Sequence, residues 1–208
     1  SWFKLRVEYR YAESGKAEVV TYVNGVNVYQ STRFWNGIQR NDIAYLTITP
    51  DEGLNATVFF DDMYLGEEVI DPNKPDTPIA PDEPKPEEPK PDGINPDTEG
   101  LPNEEDTAEL LTFESSSNGN FPNSLTASLK SADSSLVIEE LIRAENNKKV
   151  MTLKTVKGNA DSLSLALTKS LDGYNATVFE TDIFVHHDGG SSSYSFTVTL
   201  ADASGKAA

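Results

Sequence analysis

The sequence predicts an all-β sandwich of two antiparallel sheets, and three observations carry that expectation. Apolar and polar residues alternate with period two through Phe3–Arg10, a pattern that buries one face of a strand and wets the other. Asn24-Gly25 separates two β-branched runs; this is a strong short hairpin signal, because both central residues of a type I′ turn need positive φ. Many short apolar runs recur between polar, Gly-bearing loops, at the spacing of a sandwich or barrel.

The elements follow in order. Phe3, Leu5, Val7 and Tyr9 form the apolar face of a first strand, with Lys4, Arg6, Glu8 and Arg10 on the other. Val19–Val23 and Val26–Tyr29 flank the Asn-Gly turn. Ile43–Thr49 is a further strand, closed by Pro50-Asp51-Glu52-Gly53, and Ala56–Phe60 runs on into Asp61–Leu65. In the last hundred residues the strand candidates are Leu110–Phe113, Leu125–Leu129, Leu136–Leu141, Lys149–Val156, Leu163–Leu167, Thr177–Val185 and Ser193–Leu200. Only Glu139–Asn146 could pass for a helix, and it lacks a clean apolar stripe. Gly53–Met63 echoes Gly173–Ile183, with seven of eleven positions identical.

The chain has 208 residues, room for one or two domains. Lys and Arg number 17 and Asp and Glu 34, a net charge of −17. Gripping phosphate needs a concentrated positive field, so nucleic-acid binding is disfavoured, and an anionic membrane surface would repel the chain. No run approaches the roughly 18 apolar residues of a membrane helix, so no insertion is expected. With no cysteines, disulfides, thiolate metal sites and cysteine nucleophiles are excluded. The first residues already read as a strand, and the chain is expected to be a fragment of something longer.

Charge and proline divide the chain into 1–70, 71–106 and 107–208. Ten of the 12 prolines fall in Asp71–Asp106, with 12 acids and 3 lysines. Such a segment cannot bury enough apolar surface to offset chain entropy, so a disordered or extended spacer is expected, or else a ligand for proline-recognition domains.

The flanks resemble two portions of one fold. Trp2–Tyr9, Tyr22-Val23-Asn24-Gly25 and Phe60-Asp61-Asp62-Met63 resemble the C-terminal half of a laminin-G-like, concanavalin A-like jelly roll. Leu111-Thr112-Phe113-Glu114 and Val178–Ile183 resemble its N-terminal half. The resemblance implies the end of one domain (1–70), a linker (71–106) and the start of the next (107–208). A sandwich half leaves an apolar face and edge strands unpaired, so neither half should be stable alone. The two are expected to pair as one composite, circularly permuted sandwich.

Four candidate sites arise. Trp35 sits in Ser31–Gly37, where its ring could stack on a sugar while Arg33, Asn36 or Gln39 supplies hydrogen bonds; the plainer reading has Phe34 or Trp35 covering the end of the core. Asp61, Asp62 and Asp182 are oxygen donors for calcium, which members of the laminin-G-like group often bind at the sandwich rim; the plainer reading is acids at a strand end facing water. His186-His187-Asp188 suggests a metal triad, but adjacent strand residues point to opposite faces, and the Gly/Ser run that follows reads as a solvated loop. Glu104–Glu109 fits the Glu-x-Asp-x-x-Glu pattern of laminarinase-type enzymes, but its polar neighbours read as the end of the spacer. Asn55-Ala-Thr and Asn175-Ala-Thr match the glycosylation sequon, which arises often by chance.

The expected function is a non-catalytic, extracellular or cell-surface binding module for carbohydrate or another surface glycan. The alternatives are a structural or adhesion repeat contacting protein partners, or an accessory domain of a glycan-degrading enzyme.

Overall fold

The computed structural model describes residues 2–12, 16–34, 43–50, 55–68, 70, 108–111, 113–114, 116–117, 120–122, 124–143, 146–167, 175–187 and 195–206. Twelve strands are present among them: β1 (Phe3–Ala12), β2 (Lys16–Val23), β3 (Val26–Phe34), β4 (Ile43–Pro50), β5 (Ala56–Glu68), β6 (Ala108–Leu111), β7 (Leu125–Ser128), β8 (Ser135–Arg143), β9 (Asn146–Thr155), β10 (Ser162–Ala166), β11 (Ala176–His187) and β12 (Phe196–Asp202). Eight form sheet A, in the order β3-β2-β1-β11-β5-β9-β8, with β6 paired to β5. Four form sheet B, in the order β12-β4-β10-β7. Every pairing is antiparallel. The protein is all-β, two antiparallel sheets as a sandwich.

Alternation decides which residues reach the core. Leu5, Val7 and Tyr9 of β1 join Val58, Phe60, Met63 and Leu65 of β5 and Phe179 and Ile183 of β11 on the inner face of sheet A. Sheet B meets them with Leu46, Ile48, Leu125, Leu163, Leu165 and Leu200. The hairpin follows its chemistry: Asn24 and Gly25 have φ of 50° and 76°, as a type I′ turn requires.

The strands of 1–70 and 107–208 interleave. β11 pairs only with β1 and β5, β4 only with β10 and β12, and β5 only with β6, β9 and β11. Glu68 and Ala108 bracket 39 residues, yet Gly66 and Ala108 face each other across the β5–β6 ladder. Near that rim the Asn175 amide holds Ile70 on both sides: Ile70 N–H donates to Asn175 Oδ1 at 2.6 Å and Asn175 Nδ2 donates to Ile70 O at 2.6 Å.

Three local expectations are corrected. Glu139–Asn146 is not helical: Leu136 and Ile138 turn to the core from β8, Glu139 accepts from Thr152 of β9, and the next strand begins at Asn146. His186 and His187 extend β11 rather than open a loop, because Thr57 and Ala56 of β5 continue the ladder beside them. Ala108 and Glu109, the end of the acidic Glu104–Glu109 pattern, belong to β6, and 104–107 lie outside the described residues. Within the echo, Ala56–Phe60 of β5 and Ala176–Glu180 of β11 take opposite faces, Phe179 in the core and its counterpart Phe59 on the other side of the sheet, whereas beyond the β5 bulge Met63 and Ile183 both face the core. Before the bulge the likeness is therefore one of strand chemistry, not of packing.

A side-chain hydrogen bond links the two sheets. The buried Tyr9 hydroxyl of β1 donates to Val198 O of β12 at 2.8 Å. Burial, with Tyr11 adding to it, pushes the Tyr9 phenol well above its ordinary 10.0. A raised folded value means that stability is fully present below the unfolded pKa and is lost as pH rises beyond it. Urea titrations should therefore show the protein losing stability above pH about 10. Tyr9→Phe should lack that component, at a cost of about 0.5–1.5 kcal/mol at neutral pH for the lost bond. An unchanged alkaline loss in Tyr9→Phe would assign it to other tyrosines.

Candidate functional site

The alternation that sends Leu5, Val7 and Tyr9 inward sends Lys4, Arg6, Glu8 and Arg10 to the other face of sheet A. Register carries that face across the sheet. Arg6 lies opposite Tyr22 and Glu180; Glu8 opposite Val20 and Val178; Lys4 opposite Asp182. Val20 and Val178 are fully buried there, so this face has an apolar floor of its own.

A ladder of ion pairs lies over that floor. Glu8 takes Arg6 Nε at 2.7 Å on one carboxylate oxygen and Arg10 at 2.7 Å on the other. Arg6 also reaches Glu68 at 2.6 Å and Glu180 at 3.4 Å, and Lys4 reaches Glu180 at 3.2 Å. Burial alone would disfavour the Arg6 charge, but hydrogen bonds and charge from Glu68 and Glu8 outweigh it and hold the guanidinium above its ordinary range. Forked donors matched to carboxylates fix these side chains in place.

Further along the same face the three acids singled out in the sequence come together. Asp61 and Asp182 are directly opposite each other on β5 and β11. Both are buried, at mid-strand rather than at a strand end facing water. The ladder shifts between Glu180 and Asp182, so that Asp62 and Met63 together face Thr181. Asp62 takes φ of 47° at this bulge, a left-handed conformation that a short acidic side chain tolerates better than most. Asp61 Oδ1 accepts the Asp62 N–H at 2.9 Å. The bulge brings neighbouring acids to one cation: Lys148 Nζ lies 3.6 Å from Asp61 Oδ2 and 3.2 Å from Asp62 Oδ2. Like charges directly opposite on a ladder destabilise it, and the Lys148 ammonium offsets that repulsion. Among the described residues no group of three His, Cys, Asp or Glu is arranged to hold a metal ion.

Beyond the acids is a row of aromatic rings. Phe59 and Phe184 are cross-strand partners, their ring centroids 5.5 Å apart and stacked at 18°. Trp2 continues the row, 5.9 Å from Phe184 and tilted by 40°. All three are half-buried and none belongs to the main core. Thr57 and the exposed His186 flank the row on β5 and β11.

Of the stacking site expected around Trp35, Arg33 lies on β3 opposite Ala17, while Trp35, Asn36 and Gln39 lie outside the described residues. Both sequon asparagines serve the backbone: Asn175 holds Ile70, and Asn55 Oδ1 accepts Lys157 N–H at 2.8 Å. Sequence reasoning missed the aromatic row, since it is assembled from β5, β11 and Trp2, the residue before β1. A signal was present in Phe59-Phe60, because consecutive strand residues point to opposite faces and one ring had to leave the core.

No family model matches the chain, and a search of curated proteins finds no match. No helix among the described residues is long and apolar enough to cross a membrane. The class defined by fold and site is a two-sheet β-sandwich with an organised second face on its larger sheet.

Proposed function

We propose that the chain is a non-catalytic binding module of an extracellular or cell-surface protein, with a glycan as its ligand. The single observation that carries this reading is the half-exposed row Trp2–Phe184–Phe59 on the face of sheet A away from the core. Aromatic carbon gives an apolar rest for the C–H face of a sugar ring, and a few fixed polar groups nearby orient its hydroxyls. Lys4, Thr57 and the exposed His186 lie near the row in the register of β1, β5 and β11 and would supply such groups. The fold proposed is the concanavalin A-like jelly roll, with 107–208 as its first half and 1–70 as its second, joined in permuted order. Interleaving of the two segments in both sheets supports that reading.

The test is tryptophan fluorescence during titration with a panel of soluble polysaccharides. Trp35→Phe leaves Trp2 as the sole indole, since the chain has two tryptophans. At least one polysaccharide should shift its emission, and Trp2→Ala should abolish retention on the same polysaccharide in an affinity gel. If no polysaccharide shifts the emission or retards the chain, the glycan reading is wrong. If binding is lost in Trp35→Phe and kept in Trp2→Ala, the site is around Trp35 and not the aromatic row.

A further inference from the structure

One end of sheet A is β3, whose side chains from Val26 to Thr32 are exposed on both faces with the exception of the half-buried Ser31. Val26, Asn27, Val28, Tyr29, Gln30 and Thr32 of β3 are all exposed. Val26 is 63% open, Val28 56% and Tyr29 42%; among the described residues the other exposed large apolar side chain is Leu129 at 36%. The neighbouring β2 keeps a buried alternation, so the exposure belongs to β3 alone.

An edge strand presents a row of backbone donors and acceptors to any passing strand, and proteins blunt that hazard with charge, proline, shortness or a bulge. Two other edges here do so: β8 carries Glu139 and Glu140, and β7 has four residues. β3 is nine residues long and has no charge or proline from Val26 to Thr32. Its bulge sits at the hairpin end, at Val28, and leaves Tyr29–Phe34 in unbroken register with β2.

We propose that β3 is an interface for a second copy of this chain, the two β3 strands pairing antiparallel across a two-fold axis so that two A sheets become one. The choice of partner follows from charge. A two-fold sets a strip against itself, so a charged strip would meet its own sign, whereas an uncharged one does not. With Gln30 at the centre, Val28 faces Thr32, Tyr29 faces Ser31, and Arg33 faces Asn27 rather than another cation. The net charge of −17 opposes approach at long range, which gives the association a signature: salt strengthens it.

Sedimentation equilibrium of the full chain over a concentration series reads this directly. The expected result is a monomer–dimer equilibrium that shifts toward dimer as NaCl rises from about 0.01 M to about 1 M, where screening length falls from about 30 Å to about 3 Å. Val28→Lys combined with Gln30→Lys should leave only monomer at the highest concentration. Its thermal melt, read at a dilution where the unaltered chain is monomeric, should be nearly unchanged, since both side chains are exposed and the substitutions remove only exposed hydrogen bonds, that of Gln30 to Glu18 among them. Leu129→Lys, on an exposed residue beyond the end of β7, should leave the dimer intact. A monomer under all conditions, or a dimer indifferent to the β3 substitutions, overturns the proposal.

Discussion

Cutting the folded chain between residues 71 and 106 will leave one particle, not two. With a protease site placed in that segment and cleaved after folding, both pieces should elute together from a sizing column and separate only in denaturant. The reason is the strand order. β4 finds both of its neighbours in 107–208, and β11 finds both of its neighbours in 1–70. Separated in urea and returned to buffer, neither piece should show a cooperative β melt, because each would expose a core face and unpaired ladders. Pieces that part under native conditions would mean that the two segments belong to different bodies.

Phe179→Ala should be the most damaging single truncation. The ring is fully buried on β11, between partners Val7 of β1 and Leu65 of β5. Loss of such a side chain costs about 3–5 kcal/mol, against a total stability of about 5–15 kcal/mol for an ordinary domain. The urea midpoint should fall by a large fraction of its value, with the slope unchanged. Phe59→Ala, the echoed position on the opposite face, should cost clearly less, being half-buried and outside the core. Equal losses would contradict the assignment of the two rings to opposite faces.

Much of this architecture was legible before any coordinates. The period-two run in Phe3–Arg10 and the Asn24-Gly25 turn each contain their own explanation, because alternation and positive φ are local properties. What was not legible is what depends on register. Asp61 reads as an acid at a strand end, yet a bulge one residue later carries β5 on through Glu68 and buries it. Nothing in Asp61-Asp62-Met63 announces that Asp62 will take a left-handed conformation, and without it Lys148 would not serve two adjacent carboxylates. The His186-His187 pair was misread for a related reason: a Gly/Ser run follows it, but the partner strand reaches that far and holds it in the ladder. The three rings of the aromatic row are far apart in sequence and met only through the β1–β11–β5 register.

The pairing of Gly66 with Ala108 has a consequence for how this sequence can change over generations. The chain leaves sheet A near Glu68 and re-enters it at Ala108, beside the point of departure. Closing a loop costs only about 0.6 kcal/mol more for each doubling of its length. Insertions and deletions after Ile70, whose backbone is held by Asn175, and before Ala108 are therefore expected to alter folding energy only slightly. Length and composition in this stretch are open to drift or to selection by whatever surrounds the module, while a one-residue change inside β5 or β11 would turn a whole set of side chains to the wrong face.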